Sequence, residues 1–102
     1  MEFDIDDIDD TVHGRVRLGI LSHLASAGQA DFQELKRILR VTDGNLGTHL
    51  SKLESAGYVD VTKTFAGKKP LTQVMINRAG RDALLNYLNN INKLIDMINQ
   101  AK

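Results

Sequence analysis

The sequence predicts a small α+β domain in which three helices, a β-hairpin and a long fourth helix follow one another. Two observations support this prediction. Apolar residues recur at helical spacing in four segments, and a β-rich pair of segments with a turn between them separates the third helix from the fourth. With 102 residues the chain has room for one domain. We divide it into an acidic leader (1–9), a core (10–76) and a C-terminal helix (77–102).

The first helix is expected from about Asp10 to Ala27. Either Asp9 or Asp10 can cap its N-terminus, where a negative charge also suits the helix dipole. Gly28 is a typical residue for its end. One apolar stripe recurs every four residues along this helix: Val12, Val16, Ile20 and Leu24.

A second helix is expected to begin near Asp31, and the polar connection 41–44 leads into a third helix that ends at 56–57. Thr42 or Asp43 can cap this third helix. Its apolar positions lie on one side, and small polar residues lie on the other: Leu46, Leu50 and Leu53 form the apolar side. Two short helices joined by a tight turn are a helix-turn-helix pattern.

The spacing of apolar residues changes after the third helix. From Tyr58 to Phe65 apolar and polar residues alternate, as expected for a half-buried strand. Residues 66–69 read as a turn. Pro70 has no backbone donor and fits the start of a second strand over 71–76. Asn77 is expected to cap the last helix, which runs to about Gln100.

The last helix has more apolar surface than a domain of this size can cover. Leu84, Leu88, Ile91, Ile95 and Ile98 follow a heptad-like spacing, which is typical of helices that pair with another chain. We therefore predict a homodimer; the alternative is that the helix packs wholly within its own domain. The predicted interface consists of Val12, Val16, Leu84, Leu88, Ile91, Leu94, Ile95 and Ile98.

Composition excludes several classes of protein. Cysteine is absent, no apolar run reaches the length of a membrane span, and the acidic N-terminus is unlike a secretory signal, so we expect a cytoplasmic protein. The sequence has no Gly-rich phosphate loop, no His-Glu-x-x-His motif and no cysteine nucleophile. His13, His23 and His49 are too far apart for a helical metal pair. We therefore expect no enzyme activity, no metal and no cofactor.

The formal net charge of zero conceals an uneven distribution. Six of the first ten residues are acidic. Between Lys36 and Arg81, by contrast, nine basic residues face three acids. A basic segment of this kind favours a polyanionic partner, although a merely solvated surface explains the charge alone equally well.

Residues 42–57 (Thr-Asp-Gly-Asn-Leu-Gly-Thr-His-Leu-Ser-Lys-Leu-Glu-Ser-Ala-Gly) resemble the recognition-helix segment of winged-helix regulators of the MarR and ArsR classes, especially a short MarR-like group. The resemblance continues through Tyr58-Val59, the segment 67–70, the segment 77–81 and the stretch 13–24, in the same order and spacing. It implies a winged helix-turn-helix fold, binding to double-stranded DNA, transcription regulation and a homodimeric repressor that binds an inverted repeat.

The resemblance and the chemistry of the residues identify the same candidate DNA contacts. Asn, Thr and Lys side chains can contact base edges or phosphates, and lysines on a hairpin suit phosphates or the minor groove. The recognition-helix candidates are Asp43, Gly44, Asn45, Gly47, Thr48, His49, Ser51 and Lys52. The wing and flanking candidates are Arg37, Arg40, Lys63, Thr64, Lys68 and Lys69.

Several of these assignments have alternatives. His49 suits a DNA contact and a structural hydrogen bond equally well. The hairpin lysines also suit solubility, and Arg78 and Arg81 suit plain solvation. Gly47 stands where the resembled families commonly have Ser, which either permits close approach of the DNA backbone or has no consequence.

The acidic leader is expected to be a solvated, frayed tail that caps the first helix; the alternative is that it competes with DNA for the basic face. For the whole protein, the rival function is a winged-helix adaptor that binds protein and not DNA. An adaptor is expected to expose apolar residues on the third helix, and none are found there. The predicted dimer is compatible with a ligand pocket between its first and last helices, but no residue indicates the chemical class of an effector.

Overall fold

The computed structural model describes residues 3–101, and its elements confirm the predicted α+β winged-helix fold. A short 3₁₀ turn at Ile5–Asp7 precedes four α-helices and a three-stranded sheet. The helices are α1 (Arg15–Ala27), α2 (Phe32–Leu39), α3 (Asp43–Ser55) and α4 (Arg78–Gln100). The strands are β1 (Gln29–Asp31), β2 (Val59–Ala66) and β3 (Lys69–Ile76).

The hydrophobic core lies between α1, α3, the sheet and the first half of α4. Helix α1 supplies the largest share of it, with Ile20, Leu21 and Leu24 fully buried. The other buried apolar side chains come from the segment before α1, from the four helices and from the three strands: Val12, Val16, Ala30, Leu35, Leu46, Leu50, Leu53, Val59, Val74, Leu84 and Tyr87. Fourteen buried residues in a chain without tryptophan make this core largely aliphatic.

The sheet is antiparallel with the strand order β1-β3-β2. The β2–β3 hairpin pairs from Val59 opposite Ile76 to Ala66 opposite Lys69, which leaves Gly67 and Lys68 as the two turn residues. Gly67 has φ +66°, the conformation that a type II′ hairpin requires at its first turn position. Strand β1 was not predicted, because three residues are too few to reveal an alternating pattern.

Side-chain caps begin three of the helices, and the predicted caps of α3 and α4 are among them. Asp31, Thr42 and Asn77 each accept a hydrogen bond from the backbone N–H three residues later. Thr42, and not Asp43, is the cap of α3. These caps satisfy amides that a helix N-terminus otherwise leaves unpaired.

The predicted start of the first helix is wrong. Helix α1 begins at Arg15, with Gly14 as its N-cap in an extended conformation. Asp9 does cap a turn, but this residue lies six positions before Arg15, and its carboxylate accepts from the amides of Thr11 and Val12. A polar turn therefore replaces the first predicted helical turn.

The leader is not a frayed tail where the structure describes it. Ile8 packs against the core. The hydroxyl of Tyr58 donates to Asp9 Oδ2 at 2.6 Å, and the amide of the buried Asn90 donates to the carbonyl oxygen of Asp7 at 2.8 Å. Residues 7–9 of the leader therefore lie against α4 and the base of β2. In this arrangement they do not cover the basic face, as the alternative required. Glu2 lies outside the described residues.

Helix α4 has one face inside the domain and one outside it. Gly80, Leu84, Tyr87 and Asn90 are buried. Exposed apolar side chains continue along the rest of the helix: Leu85, Leu88, Ile95, Met97 and Ile98. The molecule measures 61 × 25 × 21 Å. No helix among residues 3–101 is long and apolar enough to cross a bilayer.

Three residues of the predicted dimer interface are placed wrongly. Val12, Val16 and Leu84 are at most 7% exposed and lie in the chain's own core, so they present almost no surface to a partner. The heptad-like spacing did not separate Leu84 from the outward positions, because the two faces of α4 share the same period. Val12 and Val16 belong to the apolar stripe by which α1 and the residues before it pack into the core. The remaining five predicted residues, at 88, 91, 94, 95 and 98, are half-buried or exposed.

Substitution by alanine is expected to have opposite effects on stability at two helical glycines, Gly80 and Gly47. A Cβ atom on Gly80 would overlap the carbonyl oxygen of Tyr58, which also accepts the N–H of Asn77. A Cβ on Gly47 has nothing within 4 Å. We expect Gly80→Ala to lower the free energy of unfolding by about 1–3 kcal/mol, because backbone must shift. We expect Gly47→Ala to raise it by up to about 1 kcal/mol through helix propensity.

Urea denaturation of both variants at one protein concentration measures this difference. Equal effects of the two substitutions would contradict the close contact between α4 and Tyr58.

Candidate nucleic-acid interface

Helix α3 presents a polar face to solvent because its apolar residues all point inward. Leu46, Leu50 and Leu53 are buried against the core. Their spacing places the intervening residues on the opposite side of the helix. Two of the candidate contacts on α3, Gly47 and His49, are half-buried. The other six are exposed: Asp43, Gly44, Asn45, Thr48, Ser51 and Lys52.

Two of these candidates already have partners within the chain. Asp43 Oδ1 lies 2.9 Å from Lys36 Nζ, an ion pair that joins α2 to the start of α3. The hydroxyl of Thr48 donates to the carbonyl oxygen of Gly44 at 3.0 Å. Asp43 therefore has a structural role, and its negative charge makes it the least suitable of the set for contact with a polyanion.

An arginine that the sequence analysis missed connects α3 to the segment before α1. Arg17 Nη1 donates to His49 Nδ1 at 2.9 Å, and its Nε donates to the carbonyl oxygen of Thr11 at 2.6 Å. Because a guanidinium only donates, His49 Nδ1 is the acceptor and the ring proton lies on Nε2. Nothing in the local sequence indicates this contact, since 32 residues separate the two side chains.

His49 makes a structural hydrogen bond, which is one of the two roles expected for it. Burial is the main factor that lowers the pKa of His49, and the positive charges of Arg17 and then Lys52 lower it further. The imidazole is therefore held neutral, which matches its role as an acceptor. A DNA contact through Nε2 stays a prediction.

The side chains that surround this arginine form an open groove of about 710 Å³. It lies between the segment 10–17 and the C-terminal half of α3. The lining includes Arg17, Lys52, Ser51 and Ser55. This is not the place between the first and last helices where the sequence analysis left room for an effector.

The basic residues outside α3 lie on both sides of it along the chain. Arg37 and Arg40 are exposed at the end of α2, and Arg40 closes that helix in a left-handed conformation with φ 56°. On the hairpin Lys63, Thr64, Lys68 and Lys69 are all exposed. Arg81, by contrast, donates to the carbonyl oxygen of Ala25, so it is not simply solvated.

The lowered pKa of His49 predicts a pH dependence of stability. In the unfolded chain this group titrates near its usual value of 6.5, so below that pH the unfolded state binds more protons than the folded state. The stabilisation is present above the unfolded pKa and is lost as the pH falls from that value through the lower pKa of the folded state. We expect a smaller loss of unfolding free energy between about pH 7.5 and about pH 5.5 in His49→Gln, whose amide oxygen still accepts from Arg17.

Denaturation of both proteins at several pH values measures the difference, and the other titrating groups are common to the two. Identical pH profiles would contradict a depressed pKa at His49.

Comparison with known proteins gives consistent results. A family described as a winged helix DNA-binding domain matches residues 16–95. An uncharacterized protein of Methanocaldococcus jannaschii, MJ0432, is 39% identical over 79 residues, which are 78% of this chain and 86% of the relative. A transcriptional regulator homologue from Pyrococcus horikoshii OT3 has 32% identity and a TM-score of 0.81, covering 86% of this chain and 87% of that one.

A MarR-family transcriptional regulator from Silicibacter pomeroyi has the same fold, with a TM-score of 0.64 at 16% identity over 89% of this chain and 60% of that one. The matched family is a DNA-binding family and not an enzymatic one. These matches confirm the resemblance found in residues 42–57 and along the rest of the chain. The chain belongs to the family of winged helix DNA-binding domains.

Proposed function

We propose that the protein is a homodimeric transcriptional regulator of the cytoplasm that represses by binding an inverted repeat in double-stranded DNA. In each protomer α3 lies in a major groove and the hairpin lies against the neighbouring backbone. A dimer of this kind reads half-sites about one helical turn, roughly 10–10.5 base pairs, apart. The core at 10–76 binds DNA, and the helix at 77–102 dimerises.

The observation that best supports DNA binding is the polar, exposed face of α3 with basic residues before and after it. Asn45, Ser51 and Lys52 are exposed there without an apolar neighbour on the same face. Asn suits adenine edges, and Lys suits guanine or phosphate. This chemistry favours a nucleic acid over the protein partner of an adaptor, which needs exposed apolar residues on the helix.

The basic hairpin contributes affinity for DNA with little dependence on the base sequence. Asp60, near the base of β2, is the one acid in the hairpin sequence 59–76, so the part of the hairpin that carries Lys63, Lys68 and Lys69 has no acid to offset them. Cations that neutralise phosphates release counterions, and this makes affinity fall as salt rises. The division of roles is therefore α3 for specificity and the hairpin for salt-dependent affinity.

The outer face of α4 supports the homodimer. Leu88 is 45% exposed, Ile95 is 48% exposed and Ile98 is 72% exposed, and the half-buried Ile91 lies between them in the heptad-like pattern. Apolar residues at this spacing suit a second copy of the same helix. An isologous pair would also supply the two-fold symmetry that an inverted repeat requires.

A salt series tests DNA binding directly. The log of the affinity for a mixed-sequence duplex is expected to fall linearly with the log of the salt concentration, by about 0.9 for each phosphate neutralised. The double substitution Lys68→Ala and Lys69→Ala is expected to weaken binding and to reduce the slope by up to about 1.8. Fluorescence anisotropy of a labelled duplex measures both quantities.

Arg15→Ala serves as the control, because this exposed cation is the first residue of α1 and lies on neither α3 nor the hairpin. An unchanged slope in the double variant would remove the hairpin from the mechanism. Absence of binding by the wild-type protein at low salt would contradict the proposed function.

Charge on the outer face of α4 tests the dimer. The double substitution Leu88→Glu and Ile95→Glu is expected to leave a monomer, because like carboxylates would replace apolar contacts between the two copies. Asn89→Glu is the matched control, since Asn89 is an exposed polar position on the same helix. Sedimentation equilibrium measures the mass. A monomeric wild-type protein, or a dimeric double variant, would contradict the proposed interface.

A further inference from the structure

One aromatic side chain on the hairpin has no structural explanation within the domain. Phe65 is 68% exposed, although its ring is the largest apolar side chain on β2. Alternation places it on the same face of the strand as Val59 and Val61. Those two are buried and half-buried against the core, whereas Phe65 lies beyond the point at which the core ends.

The position of Phe65 is fixed by the hairpin. It pairs with Pro70 on β3, one pair before Ala66 and Lys69 at the tip. Because directly opposed residues share a face of the sheet, Phe65 and Pro70 stand side by side as an exposed apolar pair. Eight paired residues on each strand and a two-residue turn make this a stiff projection, in which the apolar pair keeps a defined orientation.

The charges around this pair indicate the partner. Lys63 is two residues before Phe65 on the same face of β2, and Lys68 and Lys69 follow it at the turn. The sequence has no acid from residue 61 to residue 81. A second copy of the hairpin would bring like charges together, and so would any other basic surface. A polyanion with an apolar interior, such as stacked base pairs, is complementary to both features.

We propose that Phe65 and Pro70 form an apolar wedge that enters the minor groove of DNA, with the surrounding lysines on the flanking phosphates. Phe and Pro are among the residues that enter between base steps in minor-groove complexes, where they partly unstack the bases and bend the duplex. This inference rests on the proposed function, since it requires that the hairpin meets DNA. It adds a contact that depends on the deformability of the duplex and not on charge.

The salt dependence separates this contact from the lysines. Phe65→Ala removes apolar surface and no charge, so we expect affinity for a mixed-sequence duplex to fall by about tenfold with an unchanged salt slope. Phe65→Leu is expected to recover part of the loss. Met75→Ala is the matched control, because Met75 is an exposed apolar residue on the opposite face of β3 and at the base of the sheet.

A second measurement reports on the environment of the side chain itself. The chain contains no tryptophan, so Phe65→Trp introduces one tryptophan in each protomer, at the wedge, and its emission can be excited apart from that of the two tyrosines. We expect DNA to quench its emission and to protect it from acrylamide, because stacked bases surround the indole. In energy-transfer measurements on a duplex labelled at both ends, we expect the wild-type protein to shorten the end-to-end distance by bending the DNA, and we expect Phe65→Ala not to do so.

The outcomes distinguish the wedge from the proposed function. If Phe65→Ala binds with the affinity and slope of the wild-type protein, and the tryptophan stays open to acrylamide in the complex, the wedge is wrong and DNA binding survives. A loss of affinity with a reduced slope would overturn it too, because that result indicates a disturbed array of lysines. If the wild-type protein does not bind the duplex at low salt, both proposals fail.

Discussion

The orientation of α3 is the constraint on which the rest of the molecule depends. Three leucines, Leu46, Leu50 and Leu53, are buried against α1 and the sheet. Burial of a leucine side chain stabilises a fold by about 1.5–3 kcal/mol, so a rotation of α3 that exposed them would cost several times that amount. The polar face of the helix is outward for this reason. The candidate interface is thus a consequence of core packing.

Polar contacts from the N-terminal segment then hold this arrangement against the last helix. Arg17 joins the carbonyl oxygen of Thr11 to His49 on α3, and His13 Nδ1 lies 2.8 Å from the hydroxyl of Tyr87 on α4. The Tyr58 hydroxyl, which donates to Asp9, has its pKa raised to about 12 by that hydrogen bond and by burial. The segment 9–17 therefore contacts α3, the base of the hairpin and α4 at once.

Local patterns predicted most of the fold. The caps at Thr42 and Asn77, the hairpin and the end of α4 at Gln100 all follow from short-range chemistry that the sequence displays. The errors occur where a distant residue decides. Asp9 was expected to cap a helix, but the turn it caps is held by Tyr58, 49 residues away.

The prediction of the dimer interface was wrong in part for a related reason, and the candidate nucleic-acid interface could be predicted only in part from the sequence. A repeating apolar spacing identified α4 as two-sided without indicating that Leu84 faces inward and Leu88 outward. The residues of α3 were identifiable because helical spacing and a family resemblance both apply there. Arg17 has neither signal, and its role depends on a contact with His49 that only the folded chain makes.

Amide chemical-shift mapping tests the central claim most directly, since it locates the DNA-binding surface residue by residue. A protomer mass of 11.3 kDa suits the experiment, with a mixed-sequence duplex as the titrant at low salt. The account predicts that shifts concentrate at Asn45, Thr48, Ser51 and Lys52 on α3 and at the hairpin tip around Lys68. Shifts that spare α3 and concentrate on the leader or on α4 would contradict it.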